Sequence, residues 1–301
     1  MRSAQRKTKI EKSKKKVRIF GLLIRVFIPL VVILSTILYL KLSTKNWNGH
    51  DKFAFAFQNS KGQVGITILD PALNEETTLI IPGDTEVNVA RSYGTLRIKN
   101  VWQLGVNEKL GGGLLVQTIT QTFLFPTNLW SDTDMGDIWK FIFAAKKTNI
   151  PFGDRLAAGM FALRVNGTDK TEIDMGTSQF LHKQTLTDGK PGYVTSGNVS
   201  GRLTVYFADN NLANKNIKFG LVDASGSFGV AAKVGQILEV LGGKVVAVDK
   251  KPEDTTLDCE VSGSNPDVVK KVSALFSCKK ASGKSNFDLE MRLGTKFAKR
   301  F

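Results

Sequence analysis

Apolar residues in this chain fall into three kinds of run. The first is unbroken. Ile19 to Leu42, IFGLLIRVFIPLVVILSTILYLKL, is apolar almost throughout, with Arg25 and Lys41 as its charges. It is long enough to cross a bilayer at about 1.5 Å of rise per residue. Arg25 sits near one end, where its stem can snorkel to the head groups, and Pro29 is tolerable in a membrane helix. A cleaved signal peptide is the rival reading, but no small-x-small site follows the run. The second kind is short and alternating, bounded by turn residues, and predicts strands at FAFAF (53–57), VGITIL (64–69), TTLIIP (77–82), MFALRV (160–165) and RLTVYF (202–207). The third has helical spacing. Leu115, Ile119 and Thr122 share a face after the Gly-rich LGGG (110–113). Ile138, Phe141, Ile142 and Ala145 recur at i, i+3, i+4 and i+7, which predicts a helix over 135–147.

After the polar break at 209–216 the rhythm sharpens. It predicts a strand at IKFGLVD, a helix at FGVAAKVGQILEVLGG with a glycine stop, and strands at KVVAVD and TTLDCEV. A helix from Asn265-Pro266 follows, with Asn as cap and Pro at the first helical position, and a closing strand at FDLEMRL. The order is β-α-β-β-α-β, which predicts a small two-layer domain of split βαβ type. The expected organisation is a basic tail (1–18), a membrane helix (19–42), a linker (43–52), an α/β domain (53–208) and the small C-terminal domain (217–301).

Charge changes the picture in one respect. The formal net charge is +15, but residues 1–18 hold nine Lys/Arg and one Glu, and only +5 belongs to 43–301. The basic balance therefore describes a tail. Positive charge beside an apolar span places that tail in the cytoplasm and residues 43–301 outside, and the tail also suits an anionic lipid surface. The mild exterior charge gives no basic stripe for nucleic acid. The two cysteines, Cys259 and Cys278, fall in the exterior part, where an even count suggests a disulfide. It would be worth roughly 3 kcal/mol by loop closure. Two free buried thiols are the alternative.

Candidate chemistry is sparse. His50 and His182 are the only histidines, and neither has a neighbouring acid or nucleophile in sequence. No zinc, P-loop or nucleophile-elbow pattern occurs. Val222 to Asp249, VDASGSFGVAAKVGQILEVLGGKVVAVD, has the outline of a dinucleotide site. However, Ala224 stands where the first glycine of G-x-G-x-x-G belongs. Gly226 and Gly229 then read as packing glycines that open a helix, whose N-terminus is suited to an anion such as a wall phosphate.

The stretch TLIIPGDTEVNV (78–89) and the RSYGTLRIKN…LGGG region after it resemble the LytR-CpsA-Psr family of bacterial envelope proteins. Pro82, Asp84 and Thr85 are similar to its Pro-Arg-Asp-Thr strand end. Asn100 and the Gly112-Gly113 pair are similar to its Asn…Gly-Gly stretch. The resemblance implies one N-terminal span, an exterior α/β domain, and transfer of glycopolymer from a polyprenyl-pyrophosphate carrier to the wall, with Mg²⁺ as cofactor. Residues 217–294, through the strand IKFGLVDASG, the Gly226-x-x-Gly229 turn, the helix after it and KVVAVD, resemble the LytR C-terminal domain.

One departure bears on mechanism. Gly83 stands where the family has the Arg that binds carrier phosphates, and Gly supplies no guanidinium. No Arg-x-Arg cluster follows. Asp84 is then either a catalytic remnant or a loop cap. Arg91 and Arg97 are either phosphate ligands or solvated strand-edge charges. The expected function is a membrane-anchored, extracytoplasmic, non-catalytic protein that works with wall polymer or envelope proteins and needs no cofactor or metal. The alternative is an active glycopolymer phosphotransferase with Mg²⁺.

Overall fold

A computed structural model describes residues 27–39, 46–196, 201–283 and 285–301. The basic tail, residues 43–45 of the linker and both ends of the expected membrane span lie outside them. A helix over 27–39 (α1) carries exposed apolar side chains, among them Phe27, Ile33 and Leu38. Among the described residues no helix is long and apolar enough to cross a membrane. The chain divides into two compact units, Met1–Asn46 with Pro151–Asp154, and Trp47–Ile150 with Arg155–Phe301.

The second unit contains two five-stranded sheets, each with its own apolar core. The first runs β6-β1-β2-β3-β7, with β1 Phe53–Gln58, β2 Val64–Asp70, β3 Glu75–Ile81, β6 Leu129–Ser131 and β7 Lys170–Asp174. β1, β2 and β3 form an antiparallel meander, as the strand-length runs predict. β6 and β7 join its two edges in parallel. Both faces of the meander are buried. Ala56, Ile66, Leu79 and Ile81 share a core with the helices α2 (Ile98–Asn107) and α3 (Gly113–Phe123). On the other face the rings of Phe53, Phe55 and Phe57 form a ladder, and Phe141 lies 5.0 Å from Phe55. Phe57 is paired with Gly65, where a Cβ would meet the Phe57 ring at 2.1 Å. The glycine is there so that the ring can lie across the neighbouring strand.

Two small hairpins complete this half. They are β4 (Glu86–Val89) with β5 (Gly94–Arg97), and β8 (Leu181–Thr185) with β9 (Pro191–Thr195).

The second sheet runs β11-β10-β14-β12-β13, with β10 Lys218–Ala224, β11 Lys244–Lys250, β12 Cys259–Gly263, β13 Lys279–Lys280 and β14 Leu289–Gly294. Helices α7 (Val230–Val240) and α8 (Pro266–Phe276) bury their apolar sides against it with Phe219, Leu221, Val261, Met291 and Leu293. The terminal helix α9 is Thr295–Arg300.

Several sequence expectations are corrected. MFALRV is not a strand. Its first half ends α4 (Phe152–Ala162), and the rest is a turn. Met, Ala, Leu and Arg are good helix formers, and Gly159 lets α4 sit against Ile142 and Ile138, where a Cβ would clash at 2.5 Å. RLTVYF is also helical, within α5 (Gly201–Phe207), followed by the short α6 (Asn210–Ala213). Phe207 stacks on Phe125 at 4.6 Å, and Lys52 Nζ donates to the carbonyls of Val205 and Tyr206 at the helix end. The helix expected over 135–147 shrinks to a turn ending in the π-type segment Lys140–Ala144. Beyond it the chain is drawn out by pairing with β6, through Asp132 N–H to the Lys147 carbonyl and Asn149 N–H to the Trp130 carbonyl. The strand at TTLDCEV starts later, at Cys259. The split βαβ expectation also fails. β10 and β11 are direct parallel neighbours, as are β12 and β13, so each βαβ unit is closed and β14 joins the two.

Candidate functional site

Three of the residues that carry the sequence resemblance, Pro82, Asp84 and Thr85, lie at the end of β3. Pro82 to Thr85 form a tight turn, closed by Thr85 N–H and Thr85 Oγ1 on the Pro82 carbonyl at 3.0 and 2.7 Å. The turn is clamped from both sides. Lys99 N–H donates to the Gly83 carbonyl at 3.1 Å, and Tyr193 N–H to the Asp84 carbonyl at 3.1 Å. Gly83 faces the Gly62 carbonyl, and a Cβ there would lie 2.5 Å from that oxygen. Any side chain at 83, arginine included, would have to move backbone. The replacement of Arg by Gly is thus built into the packing of two turns.

Asp84 projects from this turn into an ion cluster. Its Oδ1 accepts from Lys99 Nζ at 2.6 Å and Arg97 Nη1 at 2.7 Å. Arg97 also holds Asp188 with two parallel bonds, Nε to Oδ2 at 2.8 Å and Nη2 to Oδ1 at 2.9 Å. A bidentate guanidinium–carboxylate pair of this kind is geometrically specific. The hydrogen bond from Lys99, then that from Arg97, holds the Asp84 carboxyl below its ordinary range. Arg97, with the backbone N–H of Lys190, pushes the Asp188 carboxyl down to about 2. The two carboxylates in turn raise Arg97 above its usual value, Asp188 the more. Two cations face two anions, so the cluster is neutral as a whole.

Chemically this is a charge-balanced arrangement at the surface. Arg97 is largely covered, at 13% side-chain exposure, and its donors are directed at Asp84, Asp188 and the Pro191 carbonyl. Both cations bind Asp84 through Oδ1, and the Asp84 side chain is 47% exposed. Among the described residues no group of three His, Cys, Asp or Glu is placed to hold a metal ion.

The other predicted residues are not brought to this cluster. Arg91 has φ +65° and donates from Nε to Gln117 Oε1 of α3 at 2.9 Å. Asn100 is exposed in the first turn of α2. Gly226 and Gly229 have φ +68° and +82°, and Gly229 caps α7; nothing lies within 4 Å of a Cβ at Gly229, so it serves backbone conformation rather than the close packing expected of it. The expected anion site there is not supported. The Glu253 carboxylate lies against Gly226, 2.8 Å from where its Cβ would be, and is held by Thr295 Oγ1. Cys259 and Cys278 form a disulfide that ties β12 to the end of α8.

Sequence reading misses Lys99 and Asp188. Asp188-Gly189 stands between β8 and β9 with Gly189 at φ +76°, so the Asp-Gly hairpin signal was available. The pairing with Arg97 across 91 residues had no local signal.

A second feature is a cavity of about 150 Å³ between α3 and the α8–α9 end of the C-terminal sheet domain. Trp130, Asn128, Asn149, Gln117 and Arg300 line it, with Phe301 and Leu275 as apolar wall. The Gly111–Gly113 run supports the indole. A Cβ at Gly112 would lie 2.6 Å from Trp130 and 2.7 Å from Trp102. Arg300 is fixed at the rim by Asp258 and by the Phe276 carbonyl, at 2.8 and 2.9 Å.

No family model and no curated protein matches the sequence. Among solved structures the chain is similar in outline to B. subtilis TagT, at 11% identity over 51% of this chain and 88% of that one, with a TM-score of 0.37. It is similar also to B. subtilis TagV, at 12% identity over 49% and 92%, with a TM-score of 0.36. A third, described as the LytR-CPS2A-psr family protein YwtF (TagT) with bound octaprenyl pyrophosphate lipid, has 11% identity over 51% and 88%, with a TM-score of 0.32. The family named for that structure is the one the sequence resembles. Similarity at this level describes an outline, and any chemical conclusion has to come from the side chains of this chain.

Proposed function

We propose that this is a membrane-anchored, extracytoplasmic envelope protein that engages wall polymer without transferring it. The observation that carries the proposal is the neutral Asp84–Arg97–Lys99–Asp188 cluster beside a Gly83 with no room for a side chain. Pyrophosphate needs unspent cationic donors. Here the Arg97 and Lys99 charges are matched by two carboxylates of the same chain. The anchor follows from the apolar run at 19–42, and the exterior location from the charge of 1–18.

Contact with polymer is assigned to the cavity at Trp130. At roughly 30 Å³ per water it has room for about five waters, which suits one sugar ring. It is too small for a drug-sized ligand, whose pockets run from about 300 Å³. An indole beside amides and a guanidinium, each with part of its donors engaged in the wall of the cavity, offers apolar surface and the remaining N–H groups to a pyranose.

The test has two arms. Purified chain in detergent is incubated with a polyprenyl-pyrophosphate glycan and Mg²⁺, and is separately titrated with soluble wall polymer. No transfer is expected in the first arm. In the second, binding should weaken at least tenfold in Trp130→Ala. Phosphate-linked transfer that is lost in Asp84→Ala would establish the transferase instead.

A further inference from the structure

The wall of the Trp130 cavity sorts hydrogen-bond donors from acceptors. Gln117 on α3 has its Oε1 taken by Arg91 Nε at 2.9 Å. That bond fixes which end of the amide is which and leaves Nε2 as a donor. Asn128 is the opposite case. Its Nδ2 donates to the Ala274 carbonyl at 3.1 Å, which leaves Oδ1 as an acceptor. Asn149 is used at both ends, accepting from the Trp130 backbone N–H at 2.7 Å and donating to the Asn128 carbonyl at 2.8 Å. Thr120 and Thr127 spend their hydroxyl protons on the carbonyls of Thr127 and Ala54. Arg300 spends Nε and Nη2 on Asp258, the Cys259 sulfur and the carbonyls of Phe276 and Ser277. Among the described residues, the lining side chains keep three donors without a partner: Gln117 Nε2, Trp130 Nε1 and Arg300 Nη1. Against them stands one dedicated acceptor, Asn128 Oδ1, and the Ser277 hydroxyl can serve either way.

This inventory works against a ligand that presents mainly hydroxyls. Each hydroxyl brings a proton that needs an acceptor, and a buried donor without one costs its full desolvation. An oxyanion fits no better. Arg300 is the one charged side chain in the described lining, and its charge is already matched by Asp258 at 2.8 Å. What the wall calls for is a neutral group with a strong acceptor, a single donor and an apolar end. Val116, Trp130, Leu275 and Phe301 supply apolar surface for that end. An acetamido group has the three parts: a carbonyl oxygen for the donors, an N–H for Asn128 Oδ1 and a methyl for the apolar wall.

We propose that the cavity recognises an N-acetylated hexosamine. Gln117 and Asn128 determine its specificity, and Arg91 is a positioning residue that orients the Gln117 amide. This rests on the assignment of the cavity to a sugar ring. The test compares β-linked tetrasaccharides that differ only at carbon 2, where they carry an acetamido group, an ammonium or a hydroxyl, with a glucuronate tetrasaccharide beside them. Each is titrated calorimetrically against the full chain in detergent. The acetamido oligomer is expected to bind roughly tenfold tighter than any of the others. Gln117→Leu should abolish that preference and leave affinity for the hydroxyl oligomer unchanged, which a merely structural role would not do. Arg91→Leu should narrow the preference in the same way, and a full preference in that variant overturns its positioning role. Equal binding of the acetamido and hydroxyl oligomers by the unaltered chain overturns the inference and leaves the sugar pocket standing. Tighter binding of the glucuronate or ammonium oligomer likewise overturns it and assigns the cavity to a charged sugar. No binding of any of the four, with wall-polymer binding that survives Trp130→Ala, overturns the pocket and the inference together.

Discussion

A single carboxylate shows how completely the strand-end site is committed. Asp188 titrates at about 2 because Arg97 grips both its oxygens. A carboxyl whose folded value lies below the ordinary 3.8 stabilises the fold above that value, and the contribution disappears as pH falls through the folded one. The cluster should therefore loosen between about pH 4 and pH 2 and be indifferent to pH near neutrality. In Arg97→Ala the Asp188 carboxyl should return towards 3.8, which a carbon-detected NMR titration of the aspartate side chains would register. A value still near 2 would mean that the backbone N–H of Lys190 holds the charge, and that Arg97 is incidental. At the same scale, Gly83 and Gly112 show that a glycine can mark a close approach: Gly83 to a carbonyl, Gly112 to two indole rings.

Among elements, α8 is the clearest case of local sequence dictating local structure. Asn265 accepts from the N–H groups of Asp267 and Val268, and Pro266 occupies the first turn. Asn265→Ala should cost about 1 kcal/mol, read as a shift in urea midpoint without change in slope. Elements of this kind were legible: the meander, α3, α7 and α8 all lie where spacing and caps put them. The failures share a cause. MFALRV and RLTVYF alternate over six residues, too few to separate a strand from two turns of helix, and tertiary contacts settled the matter. The contact for α4 is Ile142 against Gly159, and for α5 it is Lys52 at the helix end. The helix expected over 135–147 is realised only over 138–144, because the chain after it is drawn out by pairing with β6. The candidate site was half visible. Asp84 could be named from the strand-end motif, and Arg97 only as a nearby charge that no motif placed. Asp188 arrives from a distant hairpin, and its partner is chosen by the fold.

At the scale of the molecule, Lys271 is one of the contacts that join the two sheet domains, beside Leu124, which packs against both cores. Lys271 on α8 binds Asp51 at 3.0 Å and makes a shorter contact to Asp209, whose side chain is 2% exposed. Lys271→Met leaves two carboxylates facing each other without their shared cation and should cost up to about 3 kcal/mol. Because the lysine spans the two cores, the variant should also split a single calorimetric transition into two. A single transition at unchanged temperature would show that the cores are coupled elsewhere.

The middle strand of the C-terminal sheet has a consequence for the history of each molecule. β14 is the last of the five to leave the ribosome, yet it lies between β10 and β12, and Phe219 faces a partner, Leu289, seventy residues later. Until it arrives, the two βαβ halves each present an open edge to their surroundings. Long-range closure of this kind is slow and exposes the nascent chain to wrong partners. A polypeptide that emerges in the N-to-C direction thus completes this sheet only once β14 has itself emerged, and until then the edges of β10 and β12 stay unpaired on that side.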